Sequence, residues 1–524
     1  MIDKKELRTE LFKHIDGIAL TAPISGLFSK HNDIFDSLKS TNKINLNLTD
    51  LKIKGINVDY LNVTLRLFES QGWIERKIIK DKSIEIIPSE IGSEIFKNAY
   101  LYKIFFNYFK FLINLNFMND DNYTKYSKLI NDYNKLKNLT KNQTILKHIE
   151  GLIVGTTLVA LKIDNLIDVD NNNELIIDKK INRHNKESIT AFLTKFKFLN
   201  NSTVTEKGNF FIKRSAAYGV TVSYMPLFNK IDSLLFGKTK NILNRDKNGN
   251  EKHVNRKMNV WGSGGAHKLY FKKIDEIVLE IFNRPLEKQP QGIADMGCGD
   301  GTLLKHLYNL IKTKTLRGKN LNQFPLYVIG ADFNDEALDV TGNNLKQAEI
   351  KHHLVKADIG NPASFNDELE KKYNIHLNNL LSVRSFLDHN RIFKMPKIKN
   401  FDLEKIKTNS TSAFSTNDNN DIYEPIIFKL SLVEHFLKWK PFISKYGLIL
   451  LELHTINPKI CQLNIGKTLA TAYDATHGFS NQYIIEYEDF IDSAKLAGLK
   501  HNSSFEFNFP NNKLTTVSIN LFSL

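Results

Sequence analysis

The segment GIADMGCGDGTLLKHLYNLI, which begins at Gly292, restricts the possible folds more than any other part of this chain. A short apolar strand runs into Asp295, then Gly297, Gly299 and Gly301 alternate through a turn, and an amphipathic helix follows. Glycines let a strand turn tightly into a helix and let a ligand approach the backbone, with the helix N-terminus beneath it. A Gly-rich turn alone is weak, because dinucleotide folds use G-x-G-x-x-G in the same place. Here the spacing is Asp-x-Gly-x-Gly-x-Gly. Two later apolar segments also end in acids: YVIGAD closes on Asp332 and HHLVKAD on Asp358. In an open α/β fold such strand ends share the carboxyl edge of a parallel sheet, where ligands bind, and an acid there suits the two hydroxyls of a ribose. Each acid alone could simply cap the next helix. Three at this spacing point to one site.

The rest of the chain divides around this segment. YGLILLELH, ending at His454, reads as a buried central strand, YEDFIDSAKLAGL as a helix, and SSFEFNF with TTVSINLF as an antiparallel pair at the sheet edge. Upstream, Leu61, Leu65 and Phe68 recur at helical spacing; Trp73 opens a short strand and IEIIP returns as a second. Ser89-Glu90-Ile91-Gly92 then opens a helix, which completes the outline of a winged helix-turn-helix. The outline repeats with Ile189, Phe192, Leu193 and Phe196, followed by Thr205-Glu206-Lys207-Gly208. Residues 1–240 are therefore expected to be a mostly helical region with two winged-helix-like units, serving as a lid, a dimerisation surface or a substrate platform. Turn chemistry at Asp246 to Asn250 marks a linker over 241–257, and alternating strands and helices fill 258–524. Within that domain, 405–421 (KIKTNSTSAFSTNDNND) has too few apolar residues to pack, and a mobile insertion is expected near 395–425.

Composition sets the class. Of 524 residues 42% are hydrophobic and 25% charged, a balance that supports sizeable cores. Two cysteines, Cys298 and Cys461, exclude a disulfide framework and a cysteine-rich zinc site. The N-terminus MIDKKELRTELF carries both charge signs where a signal peptide has its apolar core, and apolar runs such as 151–161 are short for a membrane helix. A cytoplasmic location without membrane attachment is the expectation. The net charge of +15 would attract a polyanion, but it is spread without a block of like charges. The first candidate recognition helix offers Asn62, Thr64, Arg66 and Glu69, only one of them basic, so a nucleic-acid partner is not expected.

With its two downstream acids, the Asp295-to-Gly301 motif resembles motif I of class I S-adenosylmethionine (SAM) methyltransferases. The implied fold is α/β: a Rossmann-like seven-stranded sheet with a reversed last strand. Further blocks narrow the likeness. These are Asn259-Val-Trp-Gly-Ser-Gly-Gly-Ala-His267, read as a glycine-rich turn, and Ser382-Val-Arg-Ser-Phe-Leu-Asp388-His389-Asn390-Arg391 after the fourth strand. Leu451-Glu452-Leu453-His454 ends the fifth strand, and Asp474 to Tyr483 follows as a loop. Together they resemble the metal-dependent C-methyltransferase domains of polyketide synthase starter modules of the apratoxin and saxitoxin type.

That resemblance implies SAM held by Asp295, Gly297, Cys298, Gly299 and Gly301, with Asp332 and Phe333 at the ribose and Asp358 and Ile359 at the adenine. It implies C-methylation of a malonyl-type thioester on an acyl carrier protein, assisted by a divalent metal that stabilises an enolate. His477 and Gln482 are the expected ligands, a donor set suited to Fe²⁺ or Mn²⁺. His454, Asp388 and His389 come second, as either metal ligands or the general base, and His267 is a further catalytic candidate. The substrate is expected in trans, on a carrier protein or as a small molecule. A metal-independent O- or N-methyltransferase, with the winged region forming a homodimer, is the alternative. A nucleic-acid methyltransferase or winged-helix regulator is the alternative of another class, against which stands the absence of an Asn/Asp-Pro-Pro-Tyr motif.

Overall fold

Ser89 and Thr205 start their helices in the same way. Each side-chain oxygen accepts a hydrogen bond from the amide three residues on, Gly92 or Gly208, at 3.0 Å. This is N-capping, which satisfies an otherwise orphaned helix donor. The computed structural model describes residues 3–79, 82–119, 122–246, 251–398, 406–416 and 420–524. It separates into two units, the first comprising Met1–Gly265, Ala413–Ile422 and Pro458–Ser480, the second Ala266–Ser412, Tyr423–Asn457 and Asn481–Leu524.

In the first unit, helix α1 (Lys4–Leu27) is followed by β1 (Ile44–Asn47), α2 (Val58–Ser70), β2 (Ile74–Ile79) and β3 (Ser83–Pro88). The expected β2–β3 wing gains β1 as a third strand, in the order β1-β3-β2. A second set follows: α3 (Gln143–Ile163), β4 (Ile167–Val169), β5 (Leu175–Ile177), α4 (Arg183–Lys195), β6 (Leu199–Asn200) and β7 (Thr203–Val204). The two sets meet where α1 crosses α3. Lys13-His14-Ile15-Asp16-Gly17 on α1 faces Lys147-His148-Ile149-Glu150-Gly151 on α3, and a Cβ on either glycine would lie within 2.3 Å of the other helix's backbone. The histidines reach across reciprocally: His14 Nδ1 is 2.9 Å from the Tyr218 hydroxyl, and His148 Nδ1 is 2.9 Å from that of Tyr102. The N-terminal unit is thus an internal repeat closed on itself. Helix α3 is long and apolar enough to cross a membrane by length and composition, but most of it is buried against α1 as a core helix.

Asp16 lies in this interior, 2% exposed, accepting one hydrogen bond from Gln71 Nε2 at 3.3 Å. Burial pushes its carboxyl up to about 8. A raised acid keeps a proton when folded that the unfolded chain releases above pH ~4, so stability falls as pH rises from about 4 to about 8. Asp16→Asn removes that dependence. Its melting temperature should exceed that of the wild type by a margin that widens between pH 5 and pH 8; a margin constant with pH would refute the assignment.

The second unit holds the sheet foreseen in the sequence. Among the described residues its strands are β8 (Gly292–Met296), β9 (Tyr327–Asp332), β10 (His353–Lys356), β11 (Leu380–Ser385), β12 (Leu448–Leu453), β13 (Lys500–Phe509) and β14 (Val517–Ser523). Their order is β10-β9-β8-β11-β12-β14-β13. The five strands from β10 to β12 pair in parallel, and β14 runs antiparallel to both of its neighbours.

Three local expectations change. The Asn259–His267 block is not a turn but lies inside helix α5 (Arg256–Phe282). Gly262 there is a packing residue, since a Cβ would sit 2.6 Å from the Val220 nitrogen and 2.7 Å from the Gly219 carbonyl carbon. Asp474 to Gly478 are helical, within Ala470–Gly478. In the insertion, residues 410–416 are packed rather than loose: Ala413 and Phe414 are each 4% exposed. Ser410 Oγ donates to Glu486 at 2.5 Å, and the Thr411 amide donates to the same carboxylate at 3.0 Å. A buried carboxylate supplies the acceptors that let a polar segment leave water. Of the turn expected at Asp246 to Asn250, residues 247–250 lie outside the described residues.

Candidate active site

Strand β8 delivers Asp295 to the base of the glycine turn. Gly297, Gly299 and Gly301 have φ of +74°, +58° and +77°, the left-handed region that disfavours any side chain. A Cβ on Gly299 would meet nothing closer than 4.0 Å, so the turn is open on that side. Asp295 is 2% exposed, and its Oδ1 has no hydrogen-bond partner. Burial, reinforced by the neighbouring Asp332 and Asp300 carboxylates, holds its pKa well above the usual range. An orphaned buried acceptor among acids fits a cationic group, and the ammonium of a methionine moiety is one.

Asp332, at the end of β9, accepts from the Gly299 amide at 3.2 Å and from the Asn334 amide at 2.9 Å. Phe333 beside it is 55% exposed. Asp358 accepts from the Gly360 amide at 2.8 Å, and the Ile359 carbonyl accepts from Trp439 Nε1 at 2.9 Å. The two downstream acids therefore stand on the carboxyl edge near the glycine turn, with Phe333 and Ile359 as apolar neighbours. Cys298 is buried, and desolvation together with Asp295 pushes its thiol up to about 12, so it packs as an inert thiol.

The turn after β11 adjoins this loop: a Cβ on Gly297 would come within 3.0 Å of Leu387. Two residues on, His389 meets Glu452 of β12. His389 Nδ1 lies 2.5 Å from Glu452 Oε1, and the His389 amide donates to Oε2 at 3.1 Å. A carboxylate that holds Nδ1–H leaves Nε2 as the basic nitrogen. Both residues are buried, at 6% and 2% exposure. Glu452 was passed over in the sequence as part of a strand end, although a charged residue inside the apolar run LILLELH is itself a signal.

Asp388 has a different setting. It lies 2.8 Å from Arg384 Nη2 and 3.0 Å from His435 Nε2, and the Arg384 guanidinium sits 4.4 Å above the Trp439 ring. Against the opposing effect of burial, Arg384 and His435 hold its carboxyl below the usual range. A charge so paired positions the turn rather than accepting protons. His454 is fully buried, with Nε2 2.7 Å from Ser518 Oγ and its ring against Phe490 and Tyr487. Desolvation drives it down to about 3, so it stays neutral. His267 stacks on Phe271 at 5.7 Å; burial lowers its pKa, with Asp300 of the glycine turn opposing.

The expected metal ligands belong to different units, His477 to the first and Gln482 to the second. His477 Nδ1 is 2.8 Å from the Tyr473 carbonyl, which fixes the proton there and puts the lone pair on Nε2. That tautomer fits a metal-ligating imidazole, whose other nitrogen ordinarily donates to a carbonyl or carboxylate. Among the described residues, a three-residue cluster with ligand spacing occurs elsewhere, at Glu10, His14 and Glu150. Lys147 and Lys207 already pair with its carboxylates, so it needs no added cation.

Comparison with known proteins follows the same division of the chain. Residues 251–520 match the AprA MT2-like domain model of methyltransferases, 150–238 the AprA winged helix domain and 7–76 the AprA N-terminal domain. No curated protein matches the chain. Among solved structures, the citrinin polyketide synthase CMeT domain is 11% identical, covering 71% of this chain and 78% of its own, with a TM-score of 0.35. An O-methyltransferase family protein from Burkholderia thailandensis is 9% identical, covering 65% and 84%, with a TM-score of 0.35. At these values neither bears on the assignment, which rests on the family models. The methyltransferase match alone spans more than half of the sequence, and the other two fall on the two halves of the internal repeat. The chain accordingly belongs to the AprA MT2-like family of SAM-dependent methyltransferases.

Proposed function

We propose that the protein methylates the α-carbon of a malonyl-type acyl thioester presented by a separate carrier protein. The observation that carries the reading is the buried His389–Glu452 pair beside the glycine turn. Forming a carbon–carbon bond needs a base to remove an α-proton, and a histidine oriented by a carboxylate is suited to that task. In this reading Asp295 and the glycine turn hold the methionine end of SAM, Asp332 the ribose and Asp358 the adenine. His389 Nε2 takes the α-proton, and Glu452 stabilises the imidazolium that results. The electron pair left on carbon attacks the SAM methyl group, and S-adenosylhomocysteine departs as that carbon–sulfur bond breaks. Asp388, locked between Arg384 and His435, holds the His389 turn in place. A divalent metal such as Fe²⁺ or Mn²⁺, when bound, would supply Lewis-acid stabilisation of the enolate oxygen. The partner assignments, an acidic carrier protein rather than nucleic acid or membrane and a cytoplasmic location, belong to the same reading.

The test joins elemental analysis of the purified protein to methyl transfer from SAM to malonyl carrier protein, before and after chelation. About one equivalent of iron or manganese, with activity lost on chelation and restored by metal, is the expected result. Methylation that survives chelation would refute the metal-assisted step. Turnover of small hydroxylated or amine acceptors, with no transfer to malonyl thioesters, would replace the reading with an O- or N-methyltransferase.

A further inference from the structure

The internal repeat allows one half of the N-terminal unit to be read against the other. Helices α2 and α4 occupy equivalent places. Each ends in a residue of positive φ, Gly72 (+70°) or Lys197 (+60°), followed by an aromatic residue, Trp73 or Phe198. The carbonyls of those aromatics accept from the Ser89 and Thr205 amides at 2.9 and 3.0 Å. This register sets Ala191 at the place of Arg66, Lys195 at that of Ser70 and Lys186 at that of Leu61.

The two helices differ in what lies on their outer faces. That of α2 is covered within the same unit by the helix Ala470–Gly478. Arg66 Nε donates to Asp474 at 3.1 Å, Ser70 Oγ is 2.8 Å from Thr471 Oγ1, and a Cβ on Gly478 would come within 2.8 Å of Val63. Nearly every residue of α2 is buried as a result. On α4 the corresponding stretch presents an open face along Arg183, Lys186, Glu187, Thr190, Ala191, Thr194 and Lys195. Among the described residues no helix covers it. The place that holds a helix in one half of the repeat stands open in the other.

The chemistry of the open face indicates its occupant. Residues 179–197 carry six lysines and arginines against one acid, Glu187, which Arg183 already pairs at 2.9 Å. Thr190, Ala191 and Thr194, small and exposed, lie between the cations on this face. We propose that the outer face of α4 docks an acidic helix of the carrier protein that brings the substrate, in the way that Ala470–Gly478 seats on α2. This rests on the carrier-protein reading above. Complementary charge would speed the encounter and favour one orientation of the partner on this face.

Two variants test the proposal, both at exposed or half-buried positions, with thermal melts confirming that each is folded. Arg183→Glu/Lys186→Glu/Lys195→Glu reverses the charge, and Ala191→Trp places a bulky side chain in the middle of the face without changing charge. Binding is measured with malonyl-loaded acyl carrier protein, and turnover with that substrate and with the small thioester malonyl-N-acetylcysteamine. The expected result is weaker carrier binding, by about tenfold or more for each variant, and a raised KM for the carrier substrate. Turnover of the small thioester should be unchanged. Carrier binding unaffected by either variant would overturn the proposal. So would tight binding of a mixed-sequence DNA duplex that the charge reversal abolishes while the carrier binds as before. A carrier that binds through this face but is not methylated would support the docking surface and refute the substrate reading.

Discussion

Substituting His389 by alanine is expected to slow methyl transfer by roughly 10²–10⁴, the usual contribution of a positioned general base. Glu452→Gln should follow it with a smaller loss, because the amide keeps the shape but cannot stabilise the imidazolium. The loss belongs in kcat, since neither residue is assigned a contact with the adenosine. SAM affinity, measured by calorimetry, should be nearly unchanged in both variants. His454→Gln serves as the contrast: it loses the Ser518 hydrogen bond and some stability, but the base remains. A fully active His389→Ala enzyme would remove His389 from the chemistry and reopen the assignment of the base.

The second large effect is on folding. Gly17→Ala and Gly151→Ala each insert a methyl group where the other helix's backbone already lies, 2.3 Å from the His148 Cα or 2.2 Å from the His14 Cα. Helix propensity alone predicts the opposite sign, since alanine is favoured over glycine by ~1 kcal/mol in a helix interior. The overlap should prevail, because backbone cannot rotate away as a side chain can. Overpacking typically costs about 1–3 kcal/mol, and contact with backbone belongs at the top of that range. A net loss of ~2 kcal/mol per substitution is expected in denaturant melts followed by fluorescence. The double variant should lose less than the sum, since separating the helices once relieves both contacts. A stabilised Gly17→Ala protein would show that α1 and α3 do not cross this closely.

The catalytic sheet was legible because its signals are local. The apolar run into Asp295, the three glycines and the acids at Asp332 and Asp358 each follow from backbone geometry within a few residues. The antiparallel closing pair could be read for the same reason, as alternation bounded by turns. Both winged-helix outlines were visible through a capping residue followed three positions later by glycine. Where the local rule failed, a distant partner had changed its meaning. Gly262 looked like turn chemistry and is a helix contact, because only the tertiary structure places Gly219 against it. The Ser- and Thr-rich insertion looked too polar to pack, yet its hydroxyls and amides find the Glu486 carboxylate more than seventy residues away in the chain.

Sequence by itself therefore determined the seven-stranded sheet of the catalytic domain with its reversed last strand, the place of its glycine turn and the family to which it belongs. The tertiary structure decided which polar groups meet: Glu452 with His389, Asp388 with Arg384 and His435, His14 with Tyr218. It also decided that one half of the N-terminal repeat is covered and the other left open. The physical reason is range. Glycine conformations, caps and apolar periodicity act over one or two turns of chain, whereas burial and pairing of charge depend on which distant side chains the fold brings together.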